Sequence, residues 1–387
     1  MVSILGANSA SSDSYEISNS LRLDDGSNSF LSKSFGSDGN RRTFTFSCWT
    51  KGQADSSAYH SLFTSGNDNP DTSIWFNPDE ALRTNTYNSG SIHDVITNRV
   101  FRDPSAWYHI VVAYDTTQST ASNRVKIYVN GVQETSFSTS SYPDQNYETF
   151  INDASYTHRV GSHTSSAYAG DGYLCEVAFI DGTQYAASNF GEFDDNGVWI
   201  PKDFKNDVTF GSNGFYLEFK QTGTSANSSG IGADTSGNDN HLAVSNLVAS
   251  SVVPDTPTLN YATMNPLDAP SNFSSAHGNL RVNGSSSGSG SIGSTMYVNT
   301  GKWYVEMRAE DMGNGMSVGI KSDTEGTSWK PTLGESVIYQ SDSNKIIDGG
   351  SATSYGATYG VGDIIGIKIN LDDGEIEFLK NNSSQGN

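Results

Sequence analysis

The chain has 387 residues, enough for two or three domains at about 150 residues each. Its 43 acidic and 22 basic residues give a net charge of −21, and no Lys/Arg cluster supplies the basic surface that nucleic acid requires. The same charge disfavours anionic membrane surfaces, and no run of about 18 apolar residues is present to insert into a bilayer. Hydrophobic residues make up only 35%, aromatic residues 11%, and glycines number 39. We therefore expect an all-β fold with short strands and many polar turns.

Residues 1–20 are predicted to form an N-terminal arm. They lack a basic leader, and their apolar run is too short for a secretory signal peptide, so general secretory export is not expected. In residues 43–51, TFTFSCWTK, the alternation places Phe44, Phe46 and Cys48 on one face of a strand. Further short strands are predicted at residues 20–35, 61–65, 72–77, 158–162 and 172–181.

The most informative segment is a strand, a polar loop and a tight hairpin in the middle of the first half. Residues 107–115, WYHIVVAYD, are β-branched and aromatic, a composition typical of a buried strand. Residues 125–129, VKIYV, are apolar at every second position, which predicts a strand with one buried face. Asn130 and Gly131 both tolerate the positive φ of a type I′ turn, and residues 132–137 are the predicted return strand.

In this order and wording, the elements resemble the laminin-G-like (concanavalin A-like) jelly roll. The resemblance covers about residues 20–247 and rests on LRLDDGSNSFLS, TFTFSCWTK, AWYHIVVAYD, VKIYVNGVQ, HRVGSH and DGYLCEVAFIDGTQY. The acidic D-x-S-G-N-x-N-H segment that often begins members of this family occurs late here, as DTSGNDNH at 234–241. We therefore expect an all-β jelly-roll sandwich over residues 21–250, in which residues 214–247 supply edge strands as in a circular permutation.

The second half of the chain is predicted to form a separate module. Prolines in residues 251–278 fix φ and predict a semi-rigid linker, and a flexible Ser/Gly-rich stretch follows at 283–294. Residues 279–387 resemble a SPRY-like β-sandwich through GKWYVEMRAED, MSVGIKS and YGVGDIIGIKINLDDGEIEFLKNN. That family normally continues beyond the KNN turn. The module is therefore expected to be incomplete at its C-terminus, either because the chain is a fragment or because a neighbouring subunit covers the edge.

The order of motifs along nearly the whole chain resembles virion structural proteins of marine tailed bacteriophages. The segments that carry this resemblance include SILGA, YEISNSLR, FRDPSAWYHIVVAYDTTQ, YPDQNYETFIND, GVWIPK and DTPTLNYATMNPLD. The resemblance implies a virion surface component, such as a tail fibre, a tail-tip protein or a capsid spike or decoration. It further implies assembly in the host cytoplasm, release by lysis, and contacts with other virion proteins and with host-surface glycan. A homo-oligomer, trimeric in a fibre-like role, is expected.

The sequence contains no convincing catalytic constellation, and we expect a protein that is not an enzyme. Glycoside hydrolysis needs two carboxylates that flank the scissile bond. Glu375 and Glu377 alternate in GEIEF, but this pattern is typical of an amphipathic strand. Ser317 in GMSVG lies inside a predicted strand rather than at a strand–turn–helix elbow. A glycan-cleaving depolymerase and a bacterial surface adhesin remain the alternatives.

Exposed aromatic side chains on loops are the candidate glycan-binding residues, because their rings can stack on sugar faces. For Trp75, which alternates within SIWF, packing in the core is an equal alternative. The candidates are Trp75, Tyr87, Trp329, Tyr355 and Tyr359.

Calcium is the one cofactor for which candidate ligands can be named. Asp234, Asn238 and Asp239 offer hard oxygen ligands without EF-hand spacing, and the alternative is that their side chains cap a turn. Cys48 and Cys175 lie in predicted strands and are expected to be buried free thiols, with a disulfide between them as the alternative.

Overall fold

The computed structural model describes residues 15–52, 58–164, 168–284, 290–313, 315–322, 326–328 and 336–386. The described residues up to Tyr261, together with Ala276–Leu280, form a first compact unit, and Ala262–Ser275 with the described residues from Arg281 onward form a second. The only helices in these ranges are single 3₁₀ turns, and none is long or apolar enough to cross a membrane. They lie at Ala121–Asn123, Ala187–Asn189, Ala249–Ser251 and Pro266–Asp268.

The first unit is built from short strands. They are β1 (Ser20–Leu23), β2 (Phe30–Lys33), β3 (Thr43–Lys51), β4 (His60–Gly66), β5 (Asp71–Phe76), β6 (Ala81–Asn88), β7 (Ser91–Val100), β8 (Trp107–Asp115), β9 (Val125–Val129), β10 (Val132–Gln133), β11 (Phe137–Ser140), β12 (His158–Val160), β13 (Gly172–Asp181), β14 (Gly191–Phe193), β15 (Trp199–Pro201), β16 (Phe215–Leu217), β17 (Ala243–Ser245) and β18 (Val252–Val253).

Two large antiparallel sheets form the sandwich. Sheet 1 has the strand order β10-β9-β8-β3-β13-β1-β18, and β16 also pairs with β13. Sheet 2 has the order β11-β7-β6-β5-β4-β12-β2-β17. β14 and β15 form a separate hairpin. This architecture confirms the predicted all-β fold class.

The core lies between the two sheets and is rich in aromatic side chains. The Phe46 ring of sheet 1 stacks on the Phe63 ring of sheet 2 with centroids 5.0 Å apart, and Phe179 lies 5.1 Å from Phe63. The buried hydroxyl groups of Thr84 and Tyr114 form a 2.7 Å hydrogen bond across the same interface. Buried polar groups that are paired in this way avoid a desolvation penalty and fix how the two sheets face each other.

Sheet 1 is also covered on its outer face, where His109 sits in a second apolar layer. Trp199 Nε1 donates to His109 Nδ1 at 3.1 Å, so Nε2 carries the imidazole proton and donates to Ser47 Oγ at 2.9 Å. Complete burial lowers the pKa of His109 to about 3, so this imidazole is neutral in the folded protein. The histidine therefore ties the covering segment to the sheet.

The two cysteines are free and buried, as predicted. Cys48 belongs to the core between the sheets, whereas Cys175 packs beside Trp49 in the outer layer of sheet 1. Burial raises the pKa of both thiols. Because the two side chains lie on opposite faces of one sheet, they do not meet in a disulfide.

The central hairpin has the predicted strands and turn, but a shorter return strand. Asn130 and Gly131 have φ values of 46° and 80°, as a type I′ turn requires. The predicted return strand at 132–137 is divided: Val132–Gln133 pairs with β9 in sheet 1, and Phe137–Ser140 pairs with β7 in sheet 2. The chain thus crosses from one sheet to the other, a tertiary step that local alternation does not reveal.

The late segment of the first unit supplies strands to both sheets. β16 pairs with β13, and β17 pairs with β2 at the edge of sheet 2. Of the predicted arm at 1–20, residues 1–14 lie outside the described residues. Ile17 packs in the outer layer of sheet 1, and its backbone exchanges hydrogen bonds with Thr258 Oγ1 at 3.1 Å.

The predicted linker at 251–278 needs correction at its beginning. Val252–Val253 forms β18 and pairs with β1 at the edge of sheet 1. The following residues, to Tyr261, also belong to the first unit. Proline content did not reveal that this stretch is part of the first unit.

A fully buried lysine holds this stretch in place. Lys51 Nζ donates to Asp255 Oδ2 at 2.8 Å, to Asn260 Oδ1 at 2.7 Å and to the Tyr261 carbonyl at 2.8 Å. Asp255 also accepts a hydrogen bond from Trp107 Nε1 at 3.2 Å. Burial lowers the pKa of Lys51, and the Asp255 carboxylate opposes that shift. All three ammonium protons are used, the condition under which a buried charge is tolerated.

The second half of the chain is also built from short strands. They are β19 (Phe273–Ala276), β20 (Arg281–Gly284), β21 (Lys302–Arg308), β22 (Ser317–Ile320), β23 (Val337–Gln340), β24 (Asn344–Ile347), β25 (Thr353–Ser354), β26 (Ile364–Asn370), β27 (Glu375–Lys380) and β28 (Ser383–Ser384).

The second unit contains two four-stranded antiparallel sheets, with orders β21-β26-β27-β28 and β22-β23-β24-β25. A separate hairpin, β19–β20, precedes these sheets in the chain. The core of the unit includes Val318, Tyr339, Tyr359, Ile365, Ile367 and Phe378.

We predict that Gly131→Ala destabilises the first unit by about 2–4 kcal/mol, because it adds left-handed strain to overpacking. A Cβ on Gly131 would lie 2.2 Å from the Trp199 ring. Gly197→Ala is the matched control, because Gly197 has nearly the same φ, 77°, and nothing within 4 Å of an added Cβ. It should cost only about 1–2 kcal/mol. Thermal and urea denaturation measure both, and equal losses would contradict the role assigned to the Trp199 contact.

Candidate functional site

The outer face of sheet 2 is formed by the same strands that build the core. Along β5, Ile74 and Phe76 are buried between the sheets, so the intervening Trp75 points to the opposite face. On β6, Leu82 is in the core and Arg83 points outward. The outward positions of the two strands therefore lie side by side.

The register of β5 and β6 brings outward side chains into opposed pairs. Directly opposite residues lie about 4.5–5.5 Å apart at Cβ, close enough for their side chains to touch. Such a face can hold aromatic and polar groups in a fixed arrangement. The outward pairs are Asp71 with Tyr87, Ser73 with Asn85, and Trp75 with Arg83.

Loops next to these strands complete a cleft of about 310 Å³. This volume is at the lower end of the range for small-molecule sites, about 300–1,000 Å³. The cleft combines four aromatic side chains with charged and amide groups. Its described lining is Tyr59, Asp68, Asp71, Trp75, Arg83, Asn85, Tyr87, Ile92, His163 and Tyr168.

Aromatic contacts fix Trp75 at the centre of this lining. Its ring lies 5.1 Å from Tyr59, 5.5 Å from Tyr168 and 5.5 Å from His163, between ring centroids. The Arg83 guanidinium lies 5.3 Å from the Trp75 ring in cation–π geometry. Trp75 is only 7% exposed, so it supports the cleft from below. The half-buried Tyr59, Tyr87 and Tyr168 offer the more accessible rings.

The polar part of the cleft is organised around the buried carboxylate of Asp71. Its Oδ2 accepts a 2.5 Å hydrogen bond from Ser73 Oγ and a 3.5 Å one from Asn85 Nδ2. His163 Nε2 lies 3.6 Å from the same oxygen, and His163 Nδ1 lies 3.1 Å from Asp68 Oδ1. These contacts orient the Asn85 amide, with Nδ2 toward Asp71 and Oδ1 away from it.

Two buried polar atoms of the lining have no hydrogen-bond partner among the described residues. They are Trp75 Nε1, a donor, and Asn85 Oδ1, an acceptor. Both residues are more than nine-tenths buried, with Asn85 only 3% exposed. A buried polar atom without a partner costs about 1–3 kcal/mol. The lining therefore contains a buried donor and a buried acceptor that the described residues leave unpaired.

The structure brings together only part of the predicted aromatic set. Trp75 and Tyr87 meet in the cleft, and Tyr87 lies on β6 rather than on a loop. Tyr355 and Tyr359 belong to the second unit. Trp329 lies outside the described residues.

The two tyrosines of the second unit are committed to local packing. Tyr359 is 5% exposed in the core, and its hydroxyl donates to the Met316 and Tyr339 carbonyls at 2.8 and 3.0 Å. This corrects the expectation of an exposed ring. Tyr355 is half-buried against Tyr339, and Lys345 Nζ lies 4.6 Å from its ring centroid.

The predicted calcium ligands are engaged in turn hydrogen bonds. Asp234 accepts from the backbone N–H groups of Tyr216 and Asn240, each at 2.8 Å. The Asn238 amide donates to two backbone carbonyls at 2.6 and 2.9 Å. Asp239 is 90% exposed at its side chain. These contacts match the turn-capping alternative that the sequence left open.

A different group of carboxylates has the geometry of a cation site. One oxygen each from Asp24, Asp25 and Asp171 lies within 4.8 Å of the others. Such hard oxygen ligands are suited to calcium. Sequence reasoning missed this group because Asp171 joins the Asp24–Asp25 pair only through the β1–β13 pairing, in which Leu23 lies opposite Gly172.

A second buried acid lies in the outer layer of sheet 1, away from the cleft lining. Glu176 occupies an irregularity in the β13–β3 pairing, has a φ of 49° and is 4% exposed. Its Oε2 accepts hydrogen bonds from the hydroxyl groups of Tyr216 and Tyr15, the latter at 3.2 Å. Burial raises the pKa of Glu176 to about 7, and the Tyr216 hydrogen bond opposes the shift.

Comparison with known proteins agrees with this architecture. Residues 24–188 match the model of the concanavalin A-like lectin/glucanases superfamily, a laminin G-like family. No curated protein matches the chain. The first unit thus contains a concanavalin A-like jelly-roll domain.

Similar solved structures cover part of the chain at low identity. A heptameric SAP-like pentraxin from Limulus polyphemus is 14% identical, with 44% of this chain and 80% of that chain covered and a TM-score of 0.32. The CBM40 of a Ruminococcus gnavus IT-sialidase, bound to α2,3-sialyllactose, is 16% identical, with 35% and 73% covered and a TM-score of 0.27. Domain 4 of AbnA, a GH43 arabinanase from Geobacillus stearothermophilus in complex with arabinotriose, is 18% identical, with 38% and 66% covered and a TM-score of 0.29.

We predict that Glu176→Gln changes how stability depends on pH. Because the folded-state pKa of about 7 lies above the ordinary 4.5, the contribution of the neutral acid is complete below pH 4.5 and is lost as the pH rises through 7. The free energy of unfolding of the wild type should therefore fall relative to Glu176→Gln by about 3 kcal/mol between pH 4.5 and 8. Urea unfolding at several pH values measures this difference, and parallel pH curves would contradict the assignment.

Proposed function

We propose that this protein is a non-enzymatic glycan-binding protein and that the cleft on sheet 2 receives the sugar. The observation that carries the proposal is a lining of aromatic rings in which Trp75 Nε1 and Asn85 Oδ1 have no partner among the described residues. Sugars combine hydroxyl groups with apolar C–H faces, so they match both parts of such a wall. The concanavalin A-like lectin/glucanase match of residues 24–188 supports the same class of ligand.

The cleft is suited to weak binding that needs little rearrangement. Trp75 and Arg83 are held by strand pairing and by their mutual contact. A ligand therefore does not have to immobilise these side chains on binding, which lowers the entropic cost. Tyr87, at the margin of the β5–β6 pair, is placed to contact a bound sugar ring.

A hydrolytic alternative arises from Asp68 and Asp71, since two carboxylates line one cleft. In glycosidases, such a pair faces the scissile bond from both sides. Here the His163 imidazole contacts both, with Nδ1 at 3.1 Å from Asp68 and Nε2 at 3.6 Å from Asp71. The histidine thus occupies the space between the carboxylates that a glycosidic bond would need. Binding without cleavage is the function better supported by this geometry.

The proposed setting is the surface of a tailed-bacteriophage virion. The support is the resemblance of motifs along nearly the whole chain, from YEISNSLR to DTPTLNYATMNPLD. In this proposal the second unit is a SPRY-like module, and the protein acts as a homo-oligomer among other virion proteins. Several copies on one particle would convert weak single-site binding to host-surface glycan into useful avidity.

We predict that Tyr87→Ala weakens glycan binding at least about tenfold, a loss of about 1.4 kcal/mol. Trp75→Phe keeps an aromatic ring but removes the Nε1 donor, and should weaken binding about three- to tenfold, as expected for one net hydrogen bond. A printed oligosaccharide array followed by isothermal titration measures both. Tyr304→Ala is the control, because Tyr304 is a 52% exposed tyrosine of the second unit.

Equal losses from Tyr304→Ala and Tyr87→Ala would place binding elsewhere and contradict the cleft. The bound oligosaccharides are also analysed for cleavage products after long incubation. Products that disappear in Asp68→Asn would favour the hydrolytic alternative.

For the virion setting, we predict that mass spectrometry of purified phage particles that encode this chain detects it at several copies per particle. Density-gradient purification separates particles from host protein. Detection only in host envelope fractions would favour the adhesin alternative.

A further inference from the structure

Negatively charged side chains outnumber positively charged ones in and beside the cleft. Asp68, Asp71, Arg83 and His163 line it. Arg83 is already paired with Asp94, whose Oδ1 accepts 2.8 Å bonds from both Nε and Nη2. Three carboxylates therefore face one guanidinium and one imidazole among the described residues. An anionic ligand would meet repulsion here without a free cation to pair with.

The hydrogen-bonding groups of the wall suit sugars in general. Trp75 Nε1 can only donate, and Asn85 Oδ1 can only accept. Hydroxyl groups do both, and charged and uncharged sugars alike carry them. The charge of the cleft is therefore the property that distinguishes one sugar from another.

We propose that the cleft selects uncharged sugars over carboxylated and sulfated sugars. This specificity rests on the proposed function, because it concerns the same cleft. Ser73 and Asn85 orient Asp71 at the base of the cleft, where its oxygens accept bonds from the protein. Asp68 is 61% exposed at its side chain and presents its charge at the entrance. Asp68 is therefore the residue through which selectivity can be changed without disturbing the core.

The test compares sugars that differ at one substituent, which carries the charge. The full chain is titrated with tetrasaccharides of glucose, glucuronic acid and glucosamine, and with the corresponding galactose series, after an array that also contains sulfated glycans. We expect neutral members to bind at least about tenfold more tightly than the acidic form of the same series, a difference of about 1.4 kcal/mol. The amino form carries the opposite charge and should not be weakened. For the acidic forms the gap should narrow with added salt, because the screening length falls from about 30 Å at 0.01 M to about 10 Å at 0.1 M.

Asp68→Asn is the informative variant. Asp68 has a φ of 63°, a conformation that Asn adopts readily, so the turn should be retained. The variant should bind the acidic tetrasaccharides about threefold or more tightly than the wild type, so that the ratio of neutral to acidic affinity falls. Asp195→Asn, an exposed position in the β14–β15 hairpin, is the matched control and should change neither.

The outcomes separate the two proposals. Acidic or sulfated sugars that bind as tightly as the neutral forms would overturn the selectivity and leave glycan binding intact. Unchanged acidic binding in Asp68→Asn would overturn the electrostatic origin of the selectivity. Binding of no sugar at all would overturn the proposed function and this inference together.

Discussion

The two-residue alternation of β5 and β6 is the constraint on which both the core and the cleft depend. Phe76 and Leu82 are buried between the sheets only because Trp75 and Arg83 point the other way. A one-residue slip in either strand would put the guanidinium or the indole into the core and expose its apolar partners. The burial that stabilises the sandwich therefore also fixes the position of every strand-borne group in the cleft.

Buried polar groups of the sandwich are paired to different extents. On the outer face of sheet 1, His109 bonds Ser47 and Trp199, and Lys51 uses its three protons. Such networks are stabilising only when complete. In the lining of the sheet 2 cleft, Trp75 Nε1 and Asn85 Oδ1 have no partner among the described residues.

Local sequence patterns predicted the strands and turns that are determined by residues close together in the chain. β8 and β9 have the predicted bounds, and the Asn130–Gly131 turn has the required positive φ values. The β6–β7 hairpin was missed because threonines and asparagines occupy many of its positions, so its alternation is weak in apolar residues. The Ser89-Gly90 turn between the two strands was the available signal.

The candidate site was likewise predicted only in part, because some of its residues are far apart in the chain. Aromatic composition was sufficient to name Trp75 and Tyr87 individually. Their polar partners could not be inferred, because Arg83 and Asn85 lie on the missed strand and His163 arrives from a distant loop. The start of the linker was misplaced for a similar reason, because the contact between Lys51 and Asp255 joins residues that are 204 positions apart.

The unpaired polar atoms of the cleft lower the stability of the fold. Each costs the free protein about 1–3 kcal/mol, and single domains have only about 5–15 kcal/mol of net stability. The sandwich tolerates this because Trp75 and Asn85 lie on paired strands whose inner faces are fully packed. A side chain on a mobile loop would turn toward water and lose the same orientation. A rigid strand instead keeps the unsatisfied donor and acceptor in place.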